Sequence, residues 1–131
     1  EREANIVGGP AELGLHAECR QTDSLERFVA ALHEARTAYD AVIVNPGAWT
    51  HHERALHDAI EPLTIPVVEY HLSDVGAREP WRHVSVLDGV VSHVVSGEGA
   101  EGARRALLLI ANELAVADVP SPSVVDAQPN R

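Results

Sequence analysis

Two short apolar runs with a helix-forming stretch between them constrain this fold more than any other feature of the chain. The first run covers residues 42–44 and ends at an Asn-Pro-Gly turn, and the second covers residues 65–69. Between the runs, apolar residues recur with the period of an α-helix until Glu61-Pro62. Apolar runs of this kind are typical of parallel strands covered on both faces. The pattern therefore predicts a βαβ unit with a right-handed crossover.

Capping signals predict where the helices begin. Thr50 and Glu53 have the spacing of a capping box, so we predict that the helix of the βαβ unit starts at Thr50. Asp23 and Glu26 have the same spacing and predict the start of an earlier helix. Residues 86–95 are predicted to form the last strand, and a final helix follows the glycines after it.

Polar side chains follow both strands of the predicted βαβ unit. Asn45 follows the first strand, and Glu69, His71 and Ser73 alternate at the end of the second, which places them on one face. In open parallel sheets, ligands bind beyond the carboxyl ends of the strands. A carboxylate beside an imidazole favours the protonated imidazolium. His71 is therefore the candidate general acid of this site.

One further histidine and two arginines lie near this predicted site. His51 falls in the first turn of the predicted helix, where the helix dipole disfavours protonation, so we expect a neutral ring that positions hydroxyl groups. Arg78 and Arg82 are four residues apart around Pro80, and we predict that they share one face and hold an anion or a hydroxylated ring. His51 and His52 are not predicted to bind a metal, because adjacent helical residues point apart and no zinc-ligand spacing follows.

Composition limits the classes of partner. The chain has 131 residues, and its formal net charge of -10 disfavours nucleic acids and acidic membrane surfaces. An anionic substrate must therefore be met by a local cluster of arginines. The single Cys19 lies on a strand predicted over residues 15–20 and is interpreted as a buried structural thiol. With no internal disulfide, no apolar run of about 18 residues and no recognisable signal peptide, we expect a cytoplasmic protein.

Four sequence blocks carry a resemblance to a known family. They are Asn45-Pro46-Gly47-Ala48-Trp49-Thr50-His51, Ala55-Leu56-His57-Asp58-Ala59, Glu69-Tyr70-His71-Leu72-Ser73-Asp74 and Ala77-Arg78-Glu79-Pro80-Trp81-Arg82-His83-Val84-Ser85. In this order and at these intervals, the blocks resemble the type II 3-dehydroquinate dehydratases. The resemblance continues from Cys19 to about Leu114, which is most of the chain.

The resemblance implies a fold and an assembly. The fold is a flavodoxin-like three-layer α/β sandwich with a parallel sheet in the strand order 2-1-3-4-5. We expect a single domain over residues 1–117, with residues 1–14 atypical for the family. Residues 118–131 are rich in proline and polar side chains and are predicted to be a disordered tail. The family assembles as trimers grouped into a dodecamer, which implies a homo-oligomer.

The resemblance also implies a lyase that removes water from 3-dehydroquinate to give 3-dehydroshikimate, without a cofactor or a metal. In the family, a lid tyrosinate takes the proton alpha to the ketone and generates an enolate. Asn45 would orient a water that stabilises this enolate. His71, supported by Glu69, would then protonate the departing hydroxyl.

The remaining roles concern binding of the small-molecule substrate. The resemblance implies that the backbone near Leu72 and Ser73 receives the substrate carboxylate, while His51 and Arg82 bind ring hydroxyls. Arg78 would set the electrostatics near the base. The same resemblance implies that Asp58 contacts the substrate site of a neighbouring subunit.

The first fourteen residues depart from the family pattern, which begins with a central strand, an Asn-Gly-Pro-Asn turn and a lid with an Arg-Glu-Pro element and the tyrosine. In one alignment residues 4–10 are the remnant of the strand and turn; in the other, Arg2-Glu3 is the lid pair and Val7 stands in place of the tyrosine. Tyr39 precedes the first strand of the βαβ unit, and Tyr70 faces away from the acid–base pair.

Three interpretations follow from the missing tyrosine. The sequence is shortened or rearranged near its start, or the protein is a paralogue that dehydrates or aromatises another cyclic hydroxy-ketone. In the third interpretation it is a catalytically inactive binder of a small acid.

Overall fold

The computed structural model describes residues 10–130 of the chain. The helices and strands, in chain order, are β1 (His16–Gln21), α1 (Leu25–Ala38), β2 (Ala41–Val44), α2 (Arg54–Ile60), β3 (Val67–His71), β4 (His93–Ser96), α3 (Gly99–Val116) and β5 (Ser123–Gln128). The five strands form one sheet in the order β1-β5-β2-β3-β4, and every pair of neighbours is parallel.

The helices cover both faces of the sheet. On one face α1 and α2 pack over a core that includes Val42 and Val44, and on the other face α3 packs over Ile43 and Val68. Every residue of β2 is buried, as expected of a central parallel strand. The three-layer α/β sandwich and the predicted βαβ unit are therefore confirmed.

The predicted strand order and the predicted tail are wrong. Residues 123–128 do not belong to a disordered tail; they form β5, which lies between β1 and β2. The predicted order placed a strand from the beginning of the chain at this interior position of the sheet. In the structure the position is occupied by β5, which comes late in the chain. The domain consequently extends beyond residue 117.

Hydrogen bonds fix β5 at both of its ends. At the start, the Ser123 amide donates to the Asp40 carboxylate over 2.8 Å, and the Asp40 amide donates back to the Ser123 carbonyl over 2.7 Å. At the end, the Thr22 amide donates to the Gln128 carbonyl over 3.2 Å. Since Val124 and Val125 are fully buried between two neighbouring strands, ladder pairing and apolar burial both hold the segment in the sheet.

Two helices begin at residues other than those predicted, because neighbouring polar side chains compete to cap them. Glu53, not Thr50, caps α2, and its carboxylate accepts from the Ala55 amide over 3.3 Å. Thr50 instead lies within the 3-10 helix Gly47–His51, where its side chain is buried. Ser24, not Asp23, caps α1.

The last predicted strand is shorter than expected. Residues 86–95 are not one strand, because β4 covers only His93–Ser96. The loop before β4 carries Leu87, which is fully buried in the core under α1 and α2. The apolar character of this stretch therefore comes from a buried loop as well as from a strand.

The proposed N-terminal alignments concern residues 1–9, which lie outside the described residues, together with Pro10. The structure begins with the 3-10 helix Pro10–Leu13. Within residues 10–130, no helix combines the length and the apolar character needed to cross a bilayer.

The central strand β5 carries a buried carboxyl group. Asp126 is 6% exposed, and its neighbours across the ladder are Cys19 and Ile43. The Gln128 side-chain amide donates to it over a long 3.4 Å. Burial raises the pKa of the Asp126 carboxyl from 3.8 to about 6. The charged form is therefore disfavoured in the folded protein.

Replacing Asp126 with asparagine is expected to stabilise the protein at pH 7.5. Because the folded state holds the proton more tightly than the unfolded state, the free energy of unfolding falls as pH rises from about 4 to about 6 and stays low above that range. A pKa shift of this size corresponds to a loss of about 3 kcal/mol in the free energy of unfolding at neutral pH. Urea unfolding at pH 5 and pH 7.5 measures the difference.

The exposed Asp88→Asn variant is the control for this substitution, since it removes a carboxylate from the surface. It should leave the free energy of unfolding within about 0.5 kcal/mol at both pH values. If Asp126→Asn is no more stable than the parent at pH 7.5, the carboxyl group is not destabilised by burial.

Candidate active site

A cavity of about 260 Å³ opens where β2 and β3 end. It is lined by Asn45, Gly47, Ala48, His51, His71, Leu72, Ser73, Val75, Arg78 and Arg82. The fold thus brings together predicted site residues that lie at the carboxyl ends of the two strands of the βαβ unit and in the segment that follows the unit. This is the location expected for a ligand site in an open parallel sheet.

Glu69 and His71 form a buried acid–base pair at the end of β3. The Nε2 atom of His71 lies 2.6 Å from Oε2 of Glu69, and the two residues are 5% and 2% exposed. Their side chains lie on the α1/α2 face of the sheet together with that of Val67, as the alternation along β3 requires. Glu69 therefore supports the ring of a histidine that lines the cavity.

Tyr70 lies on the opposite face of β3 and packs with the core under α3. Its hydroxyl donates to the Gly99 carbonyl over 2.7 Å, at the start of α3. Tyr39 lies at the end of α1, where its hydroxyl contacts Glu18 and Arg20. Among residues 10–130, therefore, neither tyrosine lines the cavity.

His51 is held by backbone and ring contacts. Its Nδ1 atom lies 2.6 Å from the Val84 carbonyl oxygen, so Nδ1 carries the hydrogen that it donates. The ring lies 6.4 Å from that of His71 at 21°, and 5.4 Å from that of Trp81 at 83°. His51 ends the 3-10 helix Gly47–His51 rather than starting an α-helix. The predicted position of His51 in the first turn of an α-helix is therefore wrong, and the Nδ1 hydrogen bond to the Val84 carbonyl fixes the orientation of the ring.

Arg78 and Arg82 approach the cavity from the 3-10 helix Pro80–His83 and the residues before it. Arg78 donates to the Ser73 hydroxyl over 3.4 Å, and Arg82 donates to Glu79 over 2.8 Å while its guanidinium lies 4.1 Å from the centre of the Trp81 ring. A backbone hydrogen bond and then the Arg82 bond lower the pKa of Glu79. Glu79 thus offsets part of the positive charge of the arginines.

Asn45 connects the site to β5. Its backbone amide donates to the Ala127 carbonyl over 2.9 Å, and its side-chain oxygen accepts from the Gly47 amide over 3.1 Å. The side-chain oxygen therefore closes the turn, while the side-chain NH₂ group is available as a donor. Asn45 can therefore close the turn and bind a ligand at the same time.

The turn after β5 supplies two residues that the sequence analysis missed. A second cavity of about 230 Å³ is lined by Asn45, Gly47, Pro129 and Asn130, so it shares two residues with the first. Pro129 packs closely over Gly47, where an added Cβ would lie 3.2 Å from the proline ring. In the sequence, these two residues follow an apolar run and form a proline-containing turn, as at the end of β2. This pattern could have predicted a strand, but the prolines that precede the run led to the prediction of a disordered tail.

Asp58 does not line either of these cavities. It lies on α2 with its side chain 83% exposed and contacts the His57 ring over 3.2 Å. His57, Asp58 and Glu61 offer ligand atoms within 4.8 Å of one another, but this cluster is on the surface of α2. The exposed position of Asp58 makes it accessible to another molecule.

A larger cavity of about 470 Å³ lies at the ends of β1 and β5. Its lining includes Cys19, Thr22, Arg27 and Asn130, but neither Glu69 nor His71. Since it contains no acid–base pair, the smaller cavity beside His71 is the better candidate active site.

Comparison with known proteins places the chain in a family. The family model described as "Dehydroquinase class II" matches residues 2–111, so β5 lies beyond the matched residues. The "3-dehydroquinate dehydratase" of Salinispora arenicola is 45% identical over 100 residues, which cover 76% of this chain and 70% of the relative. The protein of the same name from Anoxybacillus flavithermus is 40% identical over 108 residues, which cover 82% and 73%.

A solved structure gives the same result. The type II dehydroquinase of Propionibacterium acnes superimposes with a TM-score of 0.75 and 41% identity, over 79% of this chain and 76% of that one. Matches in sequence and in structure therefore agree over most of the described fold. The chain belongs to the type II dehydroquinase family.

Proposed function

We propose that this protein is a hydro-lyase that dehydrates 3-dehydroquinate to 3-dehydroshikimate. Family membership supports the reaction, and the buried Glu69–His71 pair beside a cavity with two arginines is the observation that carries the assignment to this site. The product places the enzyme in the shikimate pathway, in aromatic amino acid biosynthesis or in the breakdown of quinate.

The substrate is an anion, and the cavity offers local positive charge on a protein of net charge -10. We assign the carboxylate to the backbone amides of Leu72 and Ser73, with the Ser73 hydroxyl held by Arg78. His51 and Arg82 then bind the ring hydroxyls. Arg78 provides positive charge near the base, and the cavity needs no cofactor for this chemistry.

The second half of the reaction is assigned to His71. In the imidazolium form, Nε2–H is held by Glu69, and the other ring nitrogen gives its proton to the departing hydroxyl, which leaves as water. The C–O bond breaks while the electrons of the enolate form the ring double bond. Asn45 contributes its side-chain NH₂ group by orienting a water against the enolate oxygen.

The first half of the reaction needs a base that removes the proton alpha to the ketone. The chain has two tyrosines, and neither lines the cavity within residues 10–130. The second candidate is therefore a paralogue that acts on another cyclic hydroxy-ketone or that only binds a small acid. The named relatives favour the dehydratase.

The proposal includes a cytoplasmic homo-oligomer of trimers grouped into a dodecamer. The exposed Asp58 on α2 supports it, since this carboxylate is free to reach the substrate site of a neighbouring subunit. Sedimentation of the purified chain tests the assembly, and a monomer would contradict it.

The purified chain is expected to turn over 3-dehydroquinate, because it belongs to the family and its cavity contains the proposed acid and anion-binding groups. The rise in absorbance of the conjugated enone product measures the rate. A folded protein without turnover would reject the dehydratase. Thermal stabilisation by quinate-like acids would then identify a binder, and its absence would point to an unrelated substrate.

A further inference from the structure

Ser85 makes contacts that set it apart from the other residues around the cavity. Its hydroxyl oxygen lies 3.2 Å and 3.1 Å from the two carboxylate oxygens of Glu69. The same oxygen accepts a hydrogen bond from the Leu87 amide over 3.0 Å. Since an ionised carboxylate can only accept, the hydroxyl hydrogen of Ser85 is the one shared with Glu69.

The loop around Ser85 is held in place on both sides. Before it, the Val84 carbonyl lies 2.6 Å from the His51 Nδ1 atom. After it, the Val86 amide donates to the Thr50 carbonyl over 2.8 Å, and the Leu87 side chain is fully buried. Ser85 is therefore fixed relative to Glu69 by backbone and core contacts. The Ser85 side chain is therefore already ordered before the substrate binds, and it loses no further conformational entropy on binding.

The surroundings explain why Glu69 needs a second partner. The carboxylate is 2% exposed, and its ladder neighbours Val44 and Val94 are apolar. His71 is the titratable group in contact with it, and the ring of His51 stacks beyond His71. A buried carboxylate is costly unless hydrogen bonds favour its ionised form.

The two arginines of the cavity contact groups other than Glu69. Arg78 contacts Ser73 and Glu79, and Arg82 contacts Glu79 and Trp81. The two hydrogen-bond partners of the Glu69 carboxylate among the described residues are therefore His71 and Ser85.

We infer that Ser85 is a positioning residue for the acid step, acting through Glu69 on His71. Its hydroxyl holds the buried carboxylate in place, so that Glu69 holds the Nε2–H of His71 and the other ring nitrogen remains the proton donor. This inference rests on the proposed function of His71. It adds a third member to the Glu69–His71 pair, without direct contact between Ser85 and the substrate.

Replacing Ser85 with alanine is expected to lower kcat about 10- to 50-fold, in line with the loss of a hydrogen bond to a charged group, while KM changes less than about twofold. The acidic limb of the kcat profile should move to higher pH, because loss of a hydrogen-bond donor to a carboxylate disfavours its ionised form. Steady-state kinetics across pH measure both effects.

Ser85→Thr is the matched control, since it keeps the hydroxyl for both Glu69 and the Leu87 amide. It should restore most of kcat and return the acidic limb to its parental position. A purely structural role would lower activity and stability without moving this limb. An unchanged kcat profile in folded Ser85→Ala would overturn the inference.

A second readout separates this inference from the proposed reaction. The imidazole signals of His71 are followed by NMR against pH in the parent and in Ser85→Ala, without any substrate. The acidic titration step of the pair should move to higher pH in the variant. If the parent does not convert 3-dehydroquinate but this step still moves, the dehydratase assignment fails and the positioning role stands; an unmoved step rejects the role.

Discussion

Replacing His71 with glutamine is expected to lower kcat for 3-dehydroquinate by about 10²- to 10⁴-fold, which is the usual range for the loss of a general acid. Glutamine can still donate to Glu69, so the buried carboxylate keeps a partner, but it has no proton to give to the departing hydroxyl. KM should change little, because the anion-binding groups are other residues of the cavity. Steady-state kinetics with saturating substrate measure the effect.

His33→Gln is the matched control, since His33 is exposed on α1 and does not line the cavity. Its kcat should be unchanged, and both variants should unfold cooperatively. If folded His71→Gln retains kcat within about threefold of the parent, the acid is another group and the assignment of the Glu69–His71 pair to the chemistry is wrong.

Replacing Val125 with aspartate is expected to unfold the protein. Val125 is fully buried in β5, where it pairs with Glu18 of β1 and Val42 of β2 and packs in the core under α1 and α2. The substitution loses about 1.5–3 kcal/mol of apolar burial. It also buries a carboxylate without a cation, which adds several kcal/mol. Together these costs approach the whole stability of an ordinary domain, about 5–15 kcal/mol.

Val116→Asp makes the same chemical change at the end of α3, where the side chain is 82% exposed. It should alter the free energy of unfolding by about 0.5 kcal/mol or less. Circular dichroism and urea unfolding compare the two variants. If Val125→Asp is tolerated as well as Val116→Asp, residues 123–128 do not form a central strand in solution.

The βαβ unit could be predicted from the sequence because its signals are local. The apolar period, the turn at Asn45 and the alternation of Glu69 and His71 place polar groups at one end of two neighbouring strands, and the structure has them there. The capping residues were predicted wrongly, because neighbouring polar side chains compete for the same amides. In the folded backbone, the side chains of Ser24 and Glu53 are the ones that accept from these amides.

The sequence by itself determined the fold class, the family and the polar residues at the ends of β2 and β3, since each depends on spacing along a continuous stretch of chain. Only the tertiary structure decided that Ser123–Gln128 is an interior strand and that Asn130 lines a second cavity beside Asn45. A short apolar run flanked by prolines carries no local sign of its partners. Its place depends on ladder pairing and core contacts with β1 and β2, which lie far away along the chain.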